Sequence, residues 1–327
     1  MTLYGAALLL AVFGLLMAAS DLLLLAATPS LLALFARFRA KQRAQAILVA
    51  RFAPSGLAAL LTVLVFLPAW CRHEPANTGE RASFGLLALA ALAALPILQG
   101  LLRAARMFLR TRDRLLLWRR QGRSTSTAQT PIEIVEVKCE DLALCVGGYL
   151  TPTIYASAQV VRSLAPQEFS AAVAHEVSHA RARDPLRLLW MTSCPDFLQL
   201  FRLDDAWRRG FASACEFAAD AGASRGNPEL ALNLASALLK VARLPTFRPL
   251  AVPAMIDMAV SSAFSSPGDL EARVRALMSV PGDETVESFA WGPWMFLAAT
   301  VLVGIAGLVA SPQVHALTEG VGRLLAS

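Results

Sequence analysis

The sequence predicts a mainly α-helical integral membrane protein with four transmembrane helices and one smaller α+β domain. Of its 327 residues, 56% are hydrophobic, and the mean hydropathy is +0.52. This composition is too apolar for an ordinary soluble protein. The apolar residues are concentrated in long uncharged runs, whereas residues 131–280 mix polar and apolar residues at helix and strand spacing. A membrane part and a separate folded domain are therefore expected.

Four apolar runs are each about long enough to cross a bilayer core, which needs about 20 residues. Asp21 is the one charged residue within them. It is either a functional intramembrane carboxylate or a residue near the membrane edge, and the apolar stretch that follows it favours the edge. The first run lacks a basic start and is too long for a cleaved signal peptide. The runs cover residues 3–27, 52–70, 82–102 and 290–310.

Basic residues are distributed unevenly between the loops that join these runs. Five lie between the first and second runs and eight directly after the third, whereas residues 71–81 contain two arginines offset by two glutamates. Because basic loops stay in the cytoplasm, we expect both termini outside and the domain before the fourth run in the cytosol, at a bacterial inner membrane. Contact with anionic lipid in the bilayer explains the net charge of +6. Direct nucleic-acid binding is not expected.

The chain divides by composition into four parts. The first contains three predicted spans, and a polar, turn-rich linker follows as the expected hinge. A folded domain comes next, and the fourth span with a short tail ends the chain. The boundaries are 1–120, 121–130, 131–280 and 281–327.

Within the folded domain, residues 132–137, 142–146 and 153–158 have strand character. The apolar segment 186–203 is either a buried helix or an interfacial segment, and contact with the membrane is favoured. Residues 244–267 contain four prolines and several serines, which predicts an exposed, extended loop before a short helix at 269–278.

The chemistry of the domain is indicated by His175-Glu176-Val177-Ser178-His179 in a chain with four histidines. Proline at Pro166 predicts the start of a helix, and Asp184-Pro185 its end after about five turns. On a helix, His175 and His179 lie one turn apart on the same face, so both can bind one metal ion. Glu176 can then act as a general base. The alternative is a helical surface that carries two histidines by chance.

A catalytic zinc usually has a third protein ligand, and we assign it to Glu216 on a downstream helix that also carries Asp220. Two carboxylates on a face rich in Ala and Phe are costly to bury unless they bind a metal or make hydrogen bonds. Asp220 is expected to accept the free N–H of a zinc-bound histidine. The alternatives are a surface glutamate, and a surface aspartate paired with Arg225 or Arg209. The domain is therefore predicted to be a cytosolic α+β zincin-like metallopeptidase domain with zinc as cofactor.

Substrate binding is assigned to Thr153, Ile154 and Tyr155. In zinc peptidases, an edge strand beside the active-site helix commonly binds the substrate backbone by strand addition. A plain core hairpin is an equally good interpretation of this segment. Tyr155 or an arginine could also help to stabilise the oxyanion. The five cysteines include no C-x-x-C pair, which argues against a disulfide scaffold and against a cysteine zinc site; Cys215 is expected to be a packing residue.

The chain resembles the BlaR/MecR-type antirepressor membrane zinc metallopeptidases over roughly its whole length. This resemblance implies a signal-activated cytosolic protease, often self-cleaving, whose protein substrate is a winged-helix transcriptional repressor. Two departures matter: no penicillin-binding domain follows the last span, and Glu216-x-x-Ala219-Asp220 also matches the HtpX-type quality-control peptidases. Those typically have two spans on each side of the motif, so the three-plus-one order favours the antirepressor type. The segments that carry the resemblance are Gly148-x-x-x-Pro152-x-Ile154-Tyr155, the zinc motif with Arg183-Asp184, Glu216-x-x-x-Asp220 and Glu271-Ala272-Arg273-Val274.

Three functions follow as hypotheses. The first is site-specific cleavage of a cytosolic repressor in signal transduction, with self-cleavage at 244–267. The second is proteolysis of misfolded membrane proteins, as in the HtpX type. The third is a non-proteolytic signalling scaffold with structural zinc, which Glu176 argues against. The sequence does not specify the oligomeric state.

Overall fold

The computed structural model describes residues 3–73, 82–125, 130–139, 144–244 and 267–279, with isolated positions near the C-terminus. Helices α1 to α6 cover Leu3–Phe35, Ala40–Leu61, Leu67–His73, Phe84–Gln121, Ala158–Ser163 and Pro166–Ala182, and a π-helical turn at Thr62–Phe66 joins α2 to α3. Helices α7 to α11 cover Asp184–Ser193, Phe197–Leu200, Asp205–Ser224, Pro228–Ala242 and Pro267–Met278. Strands β1 to β4 cover Arg123–Thr125, Ile134–Val137, Leu144–Gly147 and Thr153–Ser157.

The fold is mostly helical, with three helices long and apolar enough to span a membrane. They are Leu3–Phe35, the continuous Ala40–Arg72 and Phe84–Gln121. A helix of 33 residues is about 50 Å long, so each exceeds the thickness of a bilayer core. The first two predicted runs lie within these helices, as does the third except for its first two residues. The run at 290–310 and residues 245–266 of the loop predicted at 244–267 lie outside the described residues.

The first long helix, α1, packs against both α2 and α4. Small residues permit this close approach: a Cβ added to Gly14 would overlap the side chain of Ala93 on α4. Without a strong hydrophobic driving force in lipid, such small-residue contacts are a main source of helix association. The three long helices therefore form one bundle.

Helix α4 continues well beyond its apolar part and packs against the sheet. Its residue Trp118 is buried with Val135, Cys145 and Tyr155 on one sheet face. The expected hinge at 121–130 is therefore wrong over its first half, because Arg123–Thr125 form β1 and pair with β2. Sequence alone suggested a linker because these residues are small and polar, yet their backbone groups are satisfied by strand pairing.

The four strands form one sheet in the order β1-β2-β4-β3. Strand β4 is parallel to β2 and antiparallel to β3. Side chains alternate between the two faces: Ile154 and Ala156 join the core beneath α6 and α10, whereas Tyr155 faces Trp118 of α4 at 5.4 Å between ring centroids. Two of the three predicted strands are confirmed with shifts of one or two residues, and the start of the third lies outside the described residues.

Helices α6, α9 and α10 form the layer that holds the candidate site. Pro166 begins α6 and Arg183, in a left-handed conformation, ends it. Asn227 caps α10 by accepting N–H bonds from Glu229 and Leu230. The predicted bounds of α6 are confirmed to within about two residues, because proline signals fix helix ends locally.

The apolar segment 186–203 folds as α7 and α8, with a break at residues 194–196. Both helices pack against the long helices: Met191 and Leu198 are buried with Leu24 and Phe35 of α1. Trp190 is half exposed. The segment is therefore attached to the bundle, and its contact with a bilayer stays a prediction.

Candidate metal centre

Helix α6 is held in place at its first turn by Glu168. The Glu168 carboxylate accepts the N–H of Ala165 at 2.8 Å, and it contacts Ser236 at 2.6 Å and Lys240 at 2.7 Å on α10. The first contact satisfies a helix N–H that has no partner within the helix. The other two fix the position of α6 relative to α10.

Two histidines of α6 face a common point in the interior. His175 and His179 are fully buried, their ring centroids lie 4.7 Å apart and their planes are nearly perpendicular. The two Nε2 atoms are separated by 3.0 Å. The helix therefore places both Nε2 atoms where one ion can contact both.

Glu216 on α9 completes a three-residue cluster with these histidines. Its Oε2 lies 3.5 Å from Nε2 of His175, and its Oε1 lies 3.6 Å from Nε2 of His179. The three ligand atoms all lie within 4.8 Å of one another. The two helices approach closely at Gly222 of α9, which has no side chain. A Cβ at this position would lie only 2.8 Å from Oγ of Ser178 on α6.

Each imidazole is oriented from behind by a carboxylate. Nδ1 of His175 lies 2.9 Å from Oδ1 of Asp220, which is the arrangement expected for that residue. Nδ1 of His179 lies 2.8 Å from Oδ2 of Asp184. When Nδ1–H donates to a carboxylate, Nε2 presents its lone pair to the cluster, as a metal ligand requires.

Asp184 is a site residue that sequence reasoning missed. In the sequence, Asp184-Pro185 indicates the end of a helix and Arg183-Asp184 carries part of the family resemblance, but neither assigns a role to Asp184. In the structure, Arg183 adopts φ 55° and turns the backbone so that Asp184 comes back to His179.

Arg273 of α11 is the second missed site residue. It contacts Asp220 through Nε and Nη2, both at 2.7 Å, and Glu216 Oε2 through Nη1 at 2.9 Å. Arg273 is 3% exposed and Asp220 is 4% exposed. The alternative interpretation of Asp220, as a surface aspartate paired with Arg225 or Arg209, is therefore wrong. No local pattern places Arg273 here, because it lies 53 residues beyond Asp220 in the chain.

The pKa values of these residues reflect their contacts. Burial lowers the pKa of His175, but hydrogen bonds to Asp220 and Glu216 outweigh it and raise that pKa to about 9. Burial opposes the charged form of His179 too, yet Asp184 raises its pKa. Burial raises the pKa of Asp220, but Arg273 and His175 hold it well below its usual range. The carboxylates are thus ionised, and their negative charge favours a positive charge at the two imidazoles, which a proton supplies in the zinc-free chain.

Glu176 is fully buried beside this cluster. Burial raises its pKa to about 7, against the lowering effect of the two histidines. Neither carboxylate oxygen makes a hydrogen bond of normal geometry among the described residues, and the nearby backbone N–H of Val146 lowers the pKa only slightly against the effect of burial. A buried acceptor without a partner costs about 1–3 kcal/mol, so Glu176 is suited to receive a proton or a hydrogen bond from a molecule that enters the site.

The donor set fits zinc. Two imidazole nitrogens and one carboxylate oxygen, each imidazole with a carboxylate behind it, are the usual protein ligands of catalytic zinc. The three carboxylates that contact the imidazoles outnumber the two guanidinium groups that neutralise them, Arg273 and Arg187. The remaining negative charge favours a cation between the Nε2 atoms.

The segment that the sequence predicts to bind substrate, residues 153–155, does not lie at an edge of the sheet. Strand β4, which contains Thr153, Ile154 and Tyr155, pairs with β2 on one side and β3 on the other. Strand addition to β4 is therefore wrong, as is a role of Tyr155 at the oxyanion, since its ring lies on the opposite sheet face from α6. Among the described strands, β3 is the edge strand that contacts α6.

No family model matches this sequence, and no curated protein matches it either. The function proposed for this chain therefore rests on the geometry of the site.

Proposed function

We propose that this chain is a membrane-anchored, zinc-dependent endopeptidase. The observation that carries the proposal is the convergence of His175, His179 and Glu216 beside the buried, unpartnered carboxylate of Glu176. A purely structural zinc site has no need of that carboxylate. The non-proteolytic scaffold is for this reason the weakest of the three hypotheses.

Zinc held by His175, His179 and Glu216 would supply a Lewis acid that activates water and polarises a peptide carbonyl. Glu176 accepts the proton of the attacking water at a carboxylate oxygen, and its pKa of about 7 suits proton transfer near neutral pH. It then delivers the proton to the leaving amine as the C–N bond breaks. Asp220 and Asp184 hold the Nδ1 protons and thereby the ring orientations.

Substrate binding is proposed at β3. Its outer backbone edge and its contact with α6 suit an extended peptide that pairs with residues 144–147 and passes the site. Only an extended segment can pair in this way, so the substrate must offer a loop or an unfolded stretch. Residues 244–267, which the sequence predicts to be an exposed, extended loop, are a candidate segment of this kind within this chain.

The zincin-like domain is proposed to lie in the cytosol of a bacterium, attached to the inner membrane by four spans. Three helices of suitable length and the basic loops beside them support this placement. The fourth span, at 290–310, rests on the sequence alone. Cytosolic placement and the resemblance to BlaR/MecR-type antirepressor peptidases favour a winged-helix transcriptional repressor as substrate, with HtpX-type quality control as the second candidate.

The experiment uses the full chain purified in detergent with its zinc content measured. The probes are a winged-helix repressor encoded beside the gene of this chain and fluorescently labelled casein. We expect cleavage of the repressor at one site, little cleavage of casein, and complete loss of both with Glu176→Gln at unchanged zinc content. Glu229→Gln is the matched control, since it makes the same change at an exposed glutamate of α10 away from the cluster and keeps cleavage. Cleavage by Glu176→Gln would refute the proposal, and equal cleavage of both probes would favour quality control.

A further inference from the structure

The chain between the second histidine and the third ligand runs across the helix bundle. This stretch, residues 184–204, contains α7 and α8, and we refer to it as the coupling segment. It is attached to all three long helices. Asp21 of α1 accepts the N–H of Phe197 at 2.8 Å, and Arg103 of α4 donates to the backbone oxygen of Gln199 at 3.1 Å. A Cβ at Gly100 of α4 would lie 2.5 Å from the backbone oxygen of Ser193.

Arg51 of α2 makes the charged contacts between the coupling segment and α2. Its side chain is fully buried, with Nη1 at 2.5 Å from Oδ2 of Asp196 and Nη2 at 3.7 Å from Oδ2 of Asp204. Asp196 also accepts the N–H of Gln199 at 2.7 Å and so caps α8. A buried guanidinium is stable only while its carboxylate partners stay in contact. Arg51 therefore fixes two points of the coupling segment to α2.

One end of the coupling segment lies at the metal centre, and the other end leads into the helix that carries the third candidate ligand. Asp184 begins the segment and contacts His179 at 2.8 Å. Asp204 ends it and directly precedes α9, the helix that carries Glu216 three turns further on. A helix transmits a displacement of its first turn along its axis because its backbone hydrogen bonds keep it stiff. A shift of the coupling segment thus moves the partner of one ligand and the helix of another.

We propose that Arg51 is a positioning residue of the metal centre, which acts through the coupling segment. It holds Asp196 and Asp204 in place, and this keeps Asp184 and Glu216 at contact distance from the two histidines. The position of α2 in the bundle then sets the geometry of the metal ligands. This inference rests on the proposed zinc site and assigns a regulatory input to it.

The experiment measures zinc affinity of the full chain in detergent by competition with a chromophoric chelator, together with the melting temperature of the zinc-free protein. The variants are Arg51→Gln, Asp196→Asn and the double variant. Loss of a direct partner of a metal ligand typically weakens metal binding 10- to 100-fold. Arg51 and Asp196 act only through the coupling segment, so we expect each single variant to show the lower end of this range, about tenfold weaker zinc binding. Thr111→Val is the control, because Thr111 is a buried residue of α4 that lies outside the coupling segment.

The double variant separates positioning from stability. It leaves no unpaired charge at the contact between residues 51 and 196, and Asp204 keeps its contact with Arg208 at 3.6 Å. We therefore expect the melting temperature of the double variant to return most of the way to that of the unaltered chain, while its zinc binding stays about tenfold weaker. If a single variant does not fold, the result is read on the double variant. Zinc affinity that is unchanged, or that recovers together with the melting temperature, would overturn the positioning role alone. Failure of the unaltered chain to bind zinc would overturn the proposed function as well.

Discussion

Removal of Arg273 tests whether the carboxylates of the candidate metal centre depend on one buried cation. Arg273 makes three contacts of 2.7 to 2.9 Å with Asp220 and Glu216. Arg273→Met leaves both carboxylates ionised, buried and short of their main positive partner. Loss of one partner from a buried ion pair costs about 3–5 kcal/mol. For a domain of about 150 residues, such as the predicted domain 131–280, each kcal/mol shifts the melting temperature by about 2–4 °C, which gives a decrease of roughly 6–20 °C.

The assay is thermal unfolding of the zinc-free chain in detergent, followed by tryptophan fluorescence. Arg275→Met is the matched control, because Arg275 lies on the same helix but is exposed and pairs with exposed Glu271 at 2.6 Å. Exposed helix pairs contribute about 0.5 kcal/mol or less, so the control should change the melting temperature by roughly 2 °C at most. Equal shifts in the two variants would refute the assignment of Arg273 to the site.

Three further predictions concern the same cluster. Gly222→Val should lower both zinc content and melting temperature, since the new side chain meets Ser178 and overpacking costs about 1–3 kcal/mol; unchanged values would contradict the close approach of α6 and α9. Asp184→Asn should weaken zinc binding by about 10- to 100-fold through His179, measured by chelator competition. His175 has a pKa of about 9 in the folded, zinc-free chain against 6.5 unfolded. Its stabilisation is therefore complete below about pH 6.5 and lost as the pH rises through about 9, and a zinc-free melting temperature that rises over this interval would contradict it.

The helices of the site were predictable because residues close in sequence determine where the helices end and how the candidate ligands are spaced. Pro166 and Asp184-Pro185 bound α6, and the four-residue spacing of the histidines has a fixed meaning on a helix. Glu216 followed from chemistry, since a carboxylate on an apolar face needs a partner. The three long helices followed from length and hydropathy.

The parts that failed depend on tertiary contacts. Arg123–Thr125 look like a linker until β2 is present to pair with them. Thr153–Ser157 look like an edge strand until the order β1-β2-β4-β3 puts β4 inside the sheet. Arg273 reaches the site from a helix remote in sequence. In each case the missing information was which element lies next to which, and no local pattern encodes that.

X-ray absorption at the zinc K-edge of the purified full chain tests the metal centre most directly. We predict one zinc ion per chain, with two imidazole rings and otherwise oxygen ligands, and a spectrum that loses one oxygen ligand or all zinc with Glu216→Ala. The buried cysteines, Cys145, Cys194 and Cys215, make no contribution to the predicted ligand set. A sulfur ligand, or a chain that binds no zinc when the ion is supplied, would contradict the assignment of His175, His179 and Glu216.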